Sequence, residues 1–136
     1  MNESRFQFKG FNINRSLIER KSNEASKKIS LSFVPKGFLN SEKLTFQLEL
    51  GVKIEDENQS FNIDIGATAF YTFEKSVSKE DLDMMFFLNA PAILFPYLRA
   101  YISTLTNLSG FEPINLPTLN MSGLGEDLKN NTVEVN

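Results

Sequence analysis

The acidic side chains are the first candidates for chemistry, and their spacing is typical of structural positions. Residues 55–57 (Glu-Asp-Glu) form an acidic run between two apolar segments. They lack the alternating ligand spacing of a calcium-binding EF-hand loop. Residues 80–83 (Glu-Asp-Leu-Asp) fit the first turn of a helix, where the macrodipole favours acids. The sequence places no carboxylate pair at the separation that a glycosidase needs.

The hydroxyl side chains lack a partner that would activate them. The 136 residues include no His and no Cys. This composition excludes disulfides, Cys-ligated zinc, thiol catalysis and most hydrolase triads. Ser103, Thr104 and Thr106 lie in a helical pattern without a neighbouring base, and no Gly-rich phosphate loop occurs. An enzyme built only on carboxylates, Lys, Ser or Tyr stays open at this point, although the composition makes one less expected, and we expect no cofactor or metal.

Charge is distributed unevenly along the chain. Residues 1–53 carry ten Lys/Arg and five Asp/Glu, whereas residues 54–136 carry four and twelve. The net charge of −3 argues against nucleic-acid binding, which needs clustered basic residues. The acidic part is either an ordinary solvated surface or a face that docks a basic partner. Residues 1–9 contain no apolar signal region, and the apolar run 84–98 is shorter than a membrane span. We expect a cytoplasmic protein with no membrane insertion.

Alternating patterns predict four strands. Phe6, Phe8, Phe11 and Ile13 change parity at Gly10, which predicts a β-bulge in a strand over residues 6–13. A polar loop over residues 19–28 and a strand from Ile29 to about Pro35 follow. The clearest alternation covers residues 44–54 and 61–73, which predicts an antiparallel hairpin. The four strands together suggest a meander with one apolar face.

Helical patterns follow the strands. Ser78 and Asp81 fit a capping box for a short helix to Leu88. A second, longer helix is predicted by the stripe of Leu94, Leu98, Tyr101, Leu105 and Leu108, with Pro96 as a kink or start. From residue 84 to 125 only Arg99 and Glu112 are charged. This apolar surplus either fills an ordinary core, is covered by another copy of the chain, or forms a hydrophobic groove.

Two adjacent stretches carry a resemblance to a known family. Residues 93–105 (ILFPYLRAYISTL) and 110–121 (GFEPINLPTLNM) resemble the SecB family of bacterial export chaperones. That family has a helix opening with Ile-Leu-Phe-Pro-Tyr and an Arg two residues later. A Pro-rich segment with alternating aliphatic residues and an Asn beside a Phe follows; Met121 stands here in place of that Phe. With the Phe-Gln-Phe start at Phe6, the resemblance covers about residues 6–124.

The resemblance implies both a fold and a function. The fold is α+β, a four-stranded antiparallel sheet with one long helix, plus short helical pieces, packed on one face. The resemblance implies that the protein is not an enzyme but an ATP-independent holdase, which holds unfolded preproteins in hydrophobic grooves for export and passes them to the SecA motor. Family members are dimers of dimers, so we expect a dimer or tetramer. Some SecB-like chaperones instead guard an antitoxin, and the sequence leaves both client classes open.

The resemblance also suggests domain bounds and site residues. We expect a SecB-like domain over residues 1–124 and a disordered polar tail over residues 125–136, because Gly123 and Gly125 weaken the family's second helix. The expected client-binding groove is lined by Phe33, Phe61, Phe111, Ile114, Leu116 and Leu119. The expected subunit-interface residues are Tyr97, Tyr101 and Leu105. Glu19 and Asp64 correspond to acids of the family's SecA-docking face, where another acidic position is Arg15 here.

Two further hypotheses come from other functional classes. A small-ligand-binding or catalytic α+β domain would have a closed pocket and saturable binding of one compound. A structural oligomer would assemble with neither client nor ligand. No specific motif supports either alternative, whereas the helix and the Pro-rich segment support the chaperone.

Overall fold

The structure is a computed structural model that describes residues 5–112, 114, 116 and 121–135, with the backbone alone for residues 121 and 122. Five strands form one mixed sheet in the order β1-β4-β3-β2-β5. Their bounds are β1 Phe6–Arg20, β2 Ile29–Asn40, β3 Thr45–Asp56, β4 Phe61–Phe73 and β5 Thr132–Glu134. Strands β1 to β4 are antiparallel, and the short β5 runs parallel to β2. The prediction of a four-stranded antiparallel sheet therefore missed one strand.

The β3–β4 hairpin forms as predicted. Its register runs from the Thr45–Thr72 pair to the Glu55–Asn62 pair. The even-numbered side chains of β3 and the odd-numbered side chains of β4 are buried on one face of the sheet. Strict alternation is enough to choose this register, because a shift by one residue would expose the whole apolar set.

Strand β1 contains two bulges, and the sequence pattern revealed only the first. The register shifts between Phe8 and Gly10, as predicted, and Gly10 adopts a φ of +121°. It shifts again between Ile13 and Arg15, after which pairing continues to the end of the strand. The predicted end at Ile13 is therefore wrong. Because β1 pairs with β4 and not with β2, the predicted four-strand meander is also wrong.

Strand β2 continues through Pro35, where we predicted that it would end. The carbonyl oxygen of Pro35 faces the outer side of β2, where it accepts a hydrogen bond of 3.2 Å from Asn131 Nδ2. The nitrogen of a strand residue faces the same side as its carbonyl, so no ladder bond to β3 is lost. Proline is tolerated at such an edge.

One helical run, Lys79–Leu108, replaces the two predicted helices. It consists of α1 (Lys79–Met84), a π-helical segment (Met85–Asn89) and α2 (Ala90–Leu108). The Ala90 N–H donates to the Met85 carbonyl, five residues back. Pro91 has no N–H to donate in the next turn, and the widened turn beside it keeps the helix continuous. Ser78 caps the start as predicted, its Oγ accepting from the Asp81 N–H at 3.2 Å.

The buried stripe of α2 differs from the predicted one. Leu94, Leu98, Ile102 and Thr106 repeat every four residues and are fully buried, whereas Leu108 is 80% exposed. By length and composition the Lys79–Leu108 helix could cross a membrane. Because its stripe is buried in the protein's own core, we interpret it as the core helix of a soluble fold.

The C-terminal segment is ordered, which corrects the expectation of a disordered tail. Helix α3 spans Met121–Asn130 and buries Leu128, and strand β5 pairs with Gly37–Leu39 of β2. Gly125 allows α3 to approach the π-helical segment, because a Cβ there would lie 2.5 Å from the Phe87 carbonyl oxygen. The glycine that weakens the isolated helix is therefore needed for its packing.

One end of the apolar face is filled with aromatic rings, and we call this set the closed end. It consists of Phe6, Phe46, Tyr71, Phe73 and Phe86. Phe46 and Phe86 stack with ring centroids 4.5 Å apart. The Tyr71 hydroxyl donates to the Ala90 carbonyl at 2.6 Å, and burial raises the pKa of this phenol. The closed end joins the helical run to the sheet.

Candidate functional site

The opposite end of the apolar face holds a pocket of about 510 Å³, which we call the open-end pocket. Its walls come from the end of β1, the β1–β2 loop, the first residues of β2 and β4, and the segment after α2. The lining residues are Arg20, Ala25, Ser26, Lys27, Ile29, Phe61, Gly110, Phe111, Glu112 and Ile114. Three of the six predicted groove residues therefore lie together here.

Aromatic side chains form the apolar part of the pocket. Phe61 is buried, and the half-buried Phe111 meets it edge to face with ring centroids 5.4 Å apart. The Arg20 guanidinium lies 4.0 Å from the centre of the Phe111 ring. Its Nη2 donates to the Gly110 carbonyl at 3.3 Å. The pocket thus combines an aromatic surface with a cation held beside it.

Thr106 holds the segment after α2 in place. Its buried Oγ1 donates to the Ile102 carbonyl at 2.9 Å and accepts the Ile114 N–H at 3.0 Å. The Thr106 carbonyl accepts the Phe111 N–H, also at 3.0 Å. One helix residue therefore positions two of the pocket's apolar side chains.

Asp56 holds the β1–β2 loop against the β3–β4 turn. Its carboxylate accepts the Ser26 N–H at 2.8 Å, the Ser60 N–H at 2.7 Å and the Ser60 hydroxyl at 2.6 Å. Burial alone would raise the pKa of Asp56. The bonds from Ser60, Ser26 and the Phe61 N–H outweigh it and lower the pKa to about 2. The carboxylate is therefore ionised at neutral pH and positions a wall of the pocket.

An open strand edge begins beside the pocket. Strand β5 covers β2 at Gly37–Leu39, while residues 29–34 have no strand partner on that side among the described residues. Ile29 and Val34 are 47% and 55% exposed, and Ile29 also lines the pocket. Unpaired backbone and an apolar pocket thus lie next to each other.

Two further predicted groove residues, Phe33 and Leu116, lie away from the pocket. Phe33 lies farther along β2, half-buried, with its ring 6.2 Å from that of Phe95. Leu116 is buried in the core, and Leu119 lies outside the described residues. A client-binding role for any of the six stays a prediction.

The predicted interface residues lie along α2, facing β1. Tyr97 is 46% exposed, and its ring lies 4.9 Å from Phe11. The Tyr101 hydroxyl donates to Ser16 Oγ at 2.6 Å, and Leu105 is half-buried. Their role in assembly stays a prediction.

The predicted docking acids lie on the outer face of the sheet. Arg15 Nε is 3.0 Å from Asp64 Oδ2, and Lys53 lies opposite Asp64 in the register. Glu19 is exposed and pairs in register with Asn62. Asp64 therefore has two basic neighbours, whereas the register partner of Glu19 is uncharged.

Sequence reasoning did not assign Arg20, Asp56 and Thr106 their roles in building the pocket. Arg20 lay within a run of polar residues, and no local pattern separates it from its neighbours. Asp56 continues the buried parity of β3, and Thr106 continues the buried four-residue repeat of α2. Asp56 and Thr106 are both polar residues at positions that the pattern predicts to be buried, and this mismatch could have identified them. Among the residues that the structure describes, no acidic cluster could hold a metal ion.

Comparison with known proteins identifies the family. The sequence matches the family described as "Preprotein translocase subunit SecB" over residues 14–131, which is most of the chain. The chain belongs to the SecB family. The SecB match includes the open-end pocket, the open edge of β2 and α3.

Individual SecB-family relatives align over shorter stretches. The protein-export protein SecB of Ehrlichia canis is 35% identical over 63 residues, covering 46% of this chain and 36% of the relative. That of Dechloromonas aromatica is 31% identical over 68 residues, covering 50% and 44%. These alignments thus span less than half of the relatives' length.

A solved structure shares the fold. It is a SecB-like chaperone of Mycobacterium tuberculosis in complex with a ChAD peptide from an antitoxin. The TM-score is 0.72 at 17% sequence identity, covering 85% of this chain and 91% of that one. At this identity the likeness supports the SecB-like fold alone.

Proposed function

We propose that the chain is a cytoplasmic, ATP-independent holdase that binds unfolded polypeptide segments. The observation that carries this proposal is the position of Phe61, Phe111 and Ile114 beside the unpaired edge of β2. An extended client would place an apolar side chain in the open-end pocket and pair its main chain with residues 29–34. Such binding lowers the concentration of free, aggregation-prone chain without nucleotide hydrolysis.

Both parts of this surface suit clients of varied sequence. Contacts with aromatic and aliphatic side chains are non-directional and scale with buried apolar area. Main-chain hydrogen bonds along a strand edge do not depend on the client's side chains. Recognition would therefore follow apolar content and extended conformation. Phe33, Leu116 and Leu119 also remain proposed client contacts, and Phe33 lies on the strand that carries the edge.

The proposed clients are unfolded preproteins destined for export, or a segment of an antitoxin. Family membership supports the first class. The antitoxin peptide in the complex with the structural neighbour supports the second. Either client would meet the site as an extended segment, so one mechanism serves both.

We further propose a homo-oligomer, either a dimer or a tetramer. Tyr97, Tyr101 and Leu105 lie on α2, where Tyr97 and Leu108 leave apolar surface exposed. Burial of this surface against a second copy would remove it from water. Glu19 and Asp64 are the proposed docking acids for SecA, and Arg15 pairs with Asp64.

The test is light scattering after size-exclusion chromatography, with and without a reduced, unfolded client at equal concentration. We expect an oligomer that co-elutes with the client. The variant Phe111→Ala removes an apolar wall of the pocket, and we expect it to weaken client retention about 10-fold, by loss of a partly buried aromatic ring.

The matched control is Phe70→Ala. Phe70 is 37% exposed on the outer face of β4, so the same substitution there should leave client retention unchanged. A monomer that ignores the client, or equal loss in the two variants, contradicts the proposal.

A further inference from the structure

Strand β5 covers one end of the outer edge of β2 and leaves the other end open. The Gly37 N–H donates to the Asn131 carbonyl at 3.3 Å, and the Leu39 carbonyl accepts the Val135 N–H at 2.8 Å. Residues 29–34 continue the same edge with no strand partner among the described residues. The main-chain groups of one strand edge are therefore divided between a covered part and a free part.

The contacts that hold β5 are few and exposed. The strand is three residues long, Thr132–Glu134, and the side chains of Val133 and Glu134 are exposed. The Glu134 carboxylate accepts a hydrogen bond from the Ser41 hydroxyl at the surface. No residue of β5 belongs to the hydrophobic core of the described chain. Short segments with exposed hydrogen bonds and little buried apolar surface open at low free energy.

Helix α3, which precedes β5, is held by contacts of its own. Leu128 is fully buried, and Lys129 Nζ lies 3.5 Å from Asp83 Oδ2 on α1. Thr132 Oγ1 donates to the Leu128 carbonyl at 2.6 Å and so closes the end of α3. Detachment of the chain beyond Thr132 therefore leaves these contacts of α3 in place.

Protection of the sheet edge against aggregation would be the ordinary reason for a covering strand. The exposed apolar side chains of this edge, Ile29 and Val34, lie on the part that β5 does not cover. Edge protection alone therefore does not explain the position of β5. Its position does limit how far a second extended segment can pair along β2.

We propose that the edge of β2 at Gly37–Leu39 is a second main-chain binding site for an extended client, and that β5 occupies it until a long client replaces it. This inference rests on the proposed function and extends the paired edge from residues 29–34 to residues 29–39. A short client pairs with residues 29–34 and leaves β5 in place. A long client gains the added pairing only when β5 has detached, so its apparent affinity is reduced according to the fraction of molecules in which β5 is bound.

The experiment measures the binding of two fluorescent peptides to the full chain by anisotropy. The short peptide has six residues around a Leu-Phe-Val core and matches the length of residues 29–34. The long peptide carries the same six residues at its centre and six Ser or Thr residues on each side, so that either strand direction reaches Gly37–Leu39. We expect the long peptide to bind more tightly, because main-chain hydrogen bonds are added without new apolar side chains.

Two variants change the occupancy of this edge by β5 in opposite directions. A chain that stops after Thr132 keeps the closing bond of α3 and lacks most of β5. We expect it to bind the long peptide about 10-fold more tightly than the original chain, which corresponds to detachment of β5 in about one molecule in ten. The double variant Phe38→Cys, Val133→Cys joins β5 to β2 when oxidised, because these residues pair in register and the chain has no other cysteine. We expect the oxidised form to bind the long peptide about 10-fold more weakly than the original chain.

The controls are contained in the same set of measurements. Reduction of the double variant releases β5 and should restore the binding of the long peptide. The short peptide should bind the original, truncated, oxidised and reduced chains equally, because it does not reach Gly37–Leu39.

Each other outcome has a defined meaning. Equal binding of the long peptide by the original, truncated and oxidised chains overturns the second site, while binding of the short peptide keeps the holdase function standing. Loss of the short peptide in the oxidised form also overturns it, because β5 would then act on the open-end pocket itself. If neither peptide binds any form and no unfolded client is retained, the proposed function itself fails.

Discussion

The two ends of the apolar face use the same residue type for different purposes. At the closed end, Phe86 packs against rings on three strands and is 2% exposed. At the open end, Phe61 and Phe111 meet in one edge-to-face contact beside a pocket of about 510 Å³. Thirteen Phe in one chain therefore do not form one uniform core.

The difference lies in what completes the packing at each end. The helical run covers the closed end, because its π-helical segment delivers Phe86 to the rings of the sheet. At the open end α2 has already ended at Leu108, and a non-helical segment tethered by Thr106 takes its place. A helix covers the sheet continuously, whereas this tethered segment leaves a space for a ligand.

Removal of a ring from the closed end should have the largest effect on stability. Phe86→Ala leaves a cavity among four neighbouring rings, so we expect the free energy of unfolding to fall by about 3–5 kcal/mol. Urea denaturation followed by circular dichroism measures it. Phe70→Ala on the exposed outer face is the control and should cost about 1 kcal/mol or less. Equal losses in the two variants would refute the distinction between core and surface rings.

Release of the tether at the open end should have a smaller effect. Thr106→Val keeps the shape of the side chain but leaves the Ile114 N–H without its acceptor, at a cost of about 1–3 kcal/mol. Hydrogen exchange of the Ile114 amide should accelerate. The exposed Thr104, two residues earlier on the same helix, provides the control Thr104→Val. Unchanged exchange at Ile114 would show that this bond does not hold the segment.

The two ends should also differ in their response to pH, as the smallest of the effects. The folded pKa of Asp56, about 2, lies below its ordinary value of 3.8, so its contribution to stability is complete above that value. The contribution is lost as the pH falls from about 4 towards 2, because the unfolded chain then binds the proton more tightly. Urea midpoints across this range should fall less steeply in Asp56→Asn. A slope identical to that of the original chain would exclude this carboxylate as the cause.

Local patterns predicted the centre of the sheet well, and contacts between distant segments account for what they missed. The β3–β4 hairpin follows from alternation within one stretch of 30 residues. The second bulge of β1 depends on the pairing of that strand with β4. Strand β2 can continue through Pro35 because the proline nitrogen and carbonyl face the outer side of β2. Helix α3 depends on the close approach of Gly125 to Phe87. None of these partners is near in sequence.

The site was predicted in part for the same reason. Phe61, Phe111 and Ile114 were expected to act together, and the fold brings them to one pocket. Arg20 and Thr106 gain their roles from contacts with residues up to 90 positions away. A single sequence does not encode those distances in any local spacing.

Because the Lys79–Leu108 helix contains a π-helical segment, the directions in which its side chains point depend on the number of residues in that segment. A π turn holds one residue more than the α turn it replaces. A chain shorter by one residue between Met85 and Asn89 would favour a regular α-helix throughout. The side chains before that point would then be rotated by about 100° about the axis relative to α2. Phe86 would then point away from Phe46, with which it stacks here. In an alignment of relatives, a one-residue gap at this place would therefore indicate a different packing of the closed end, even where every aligned residue is identical.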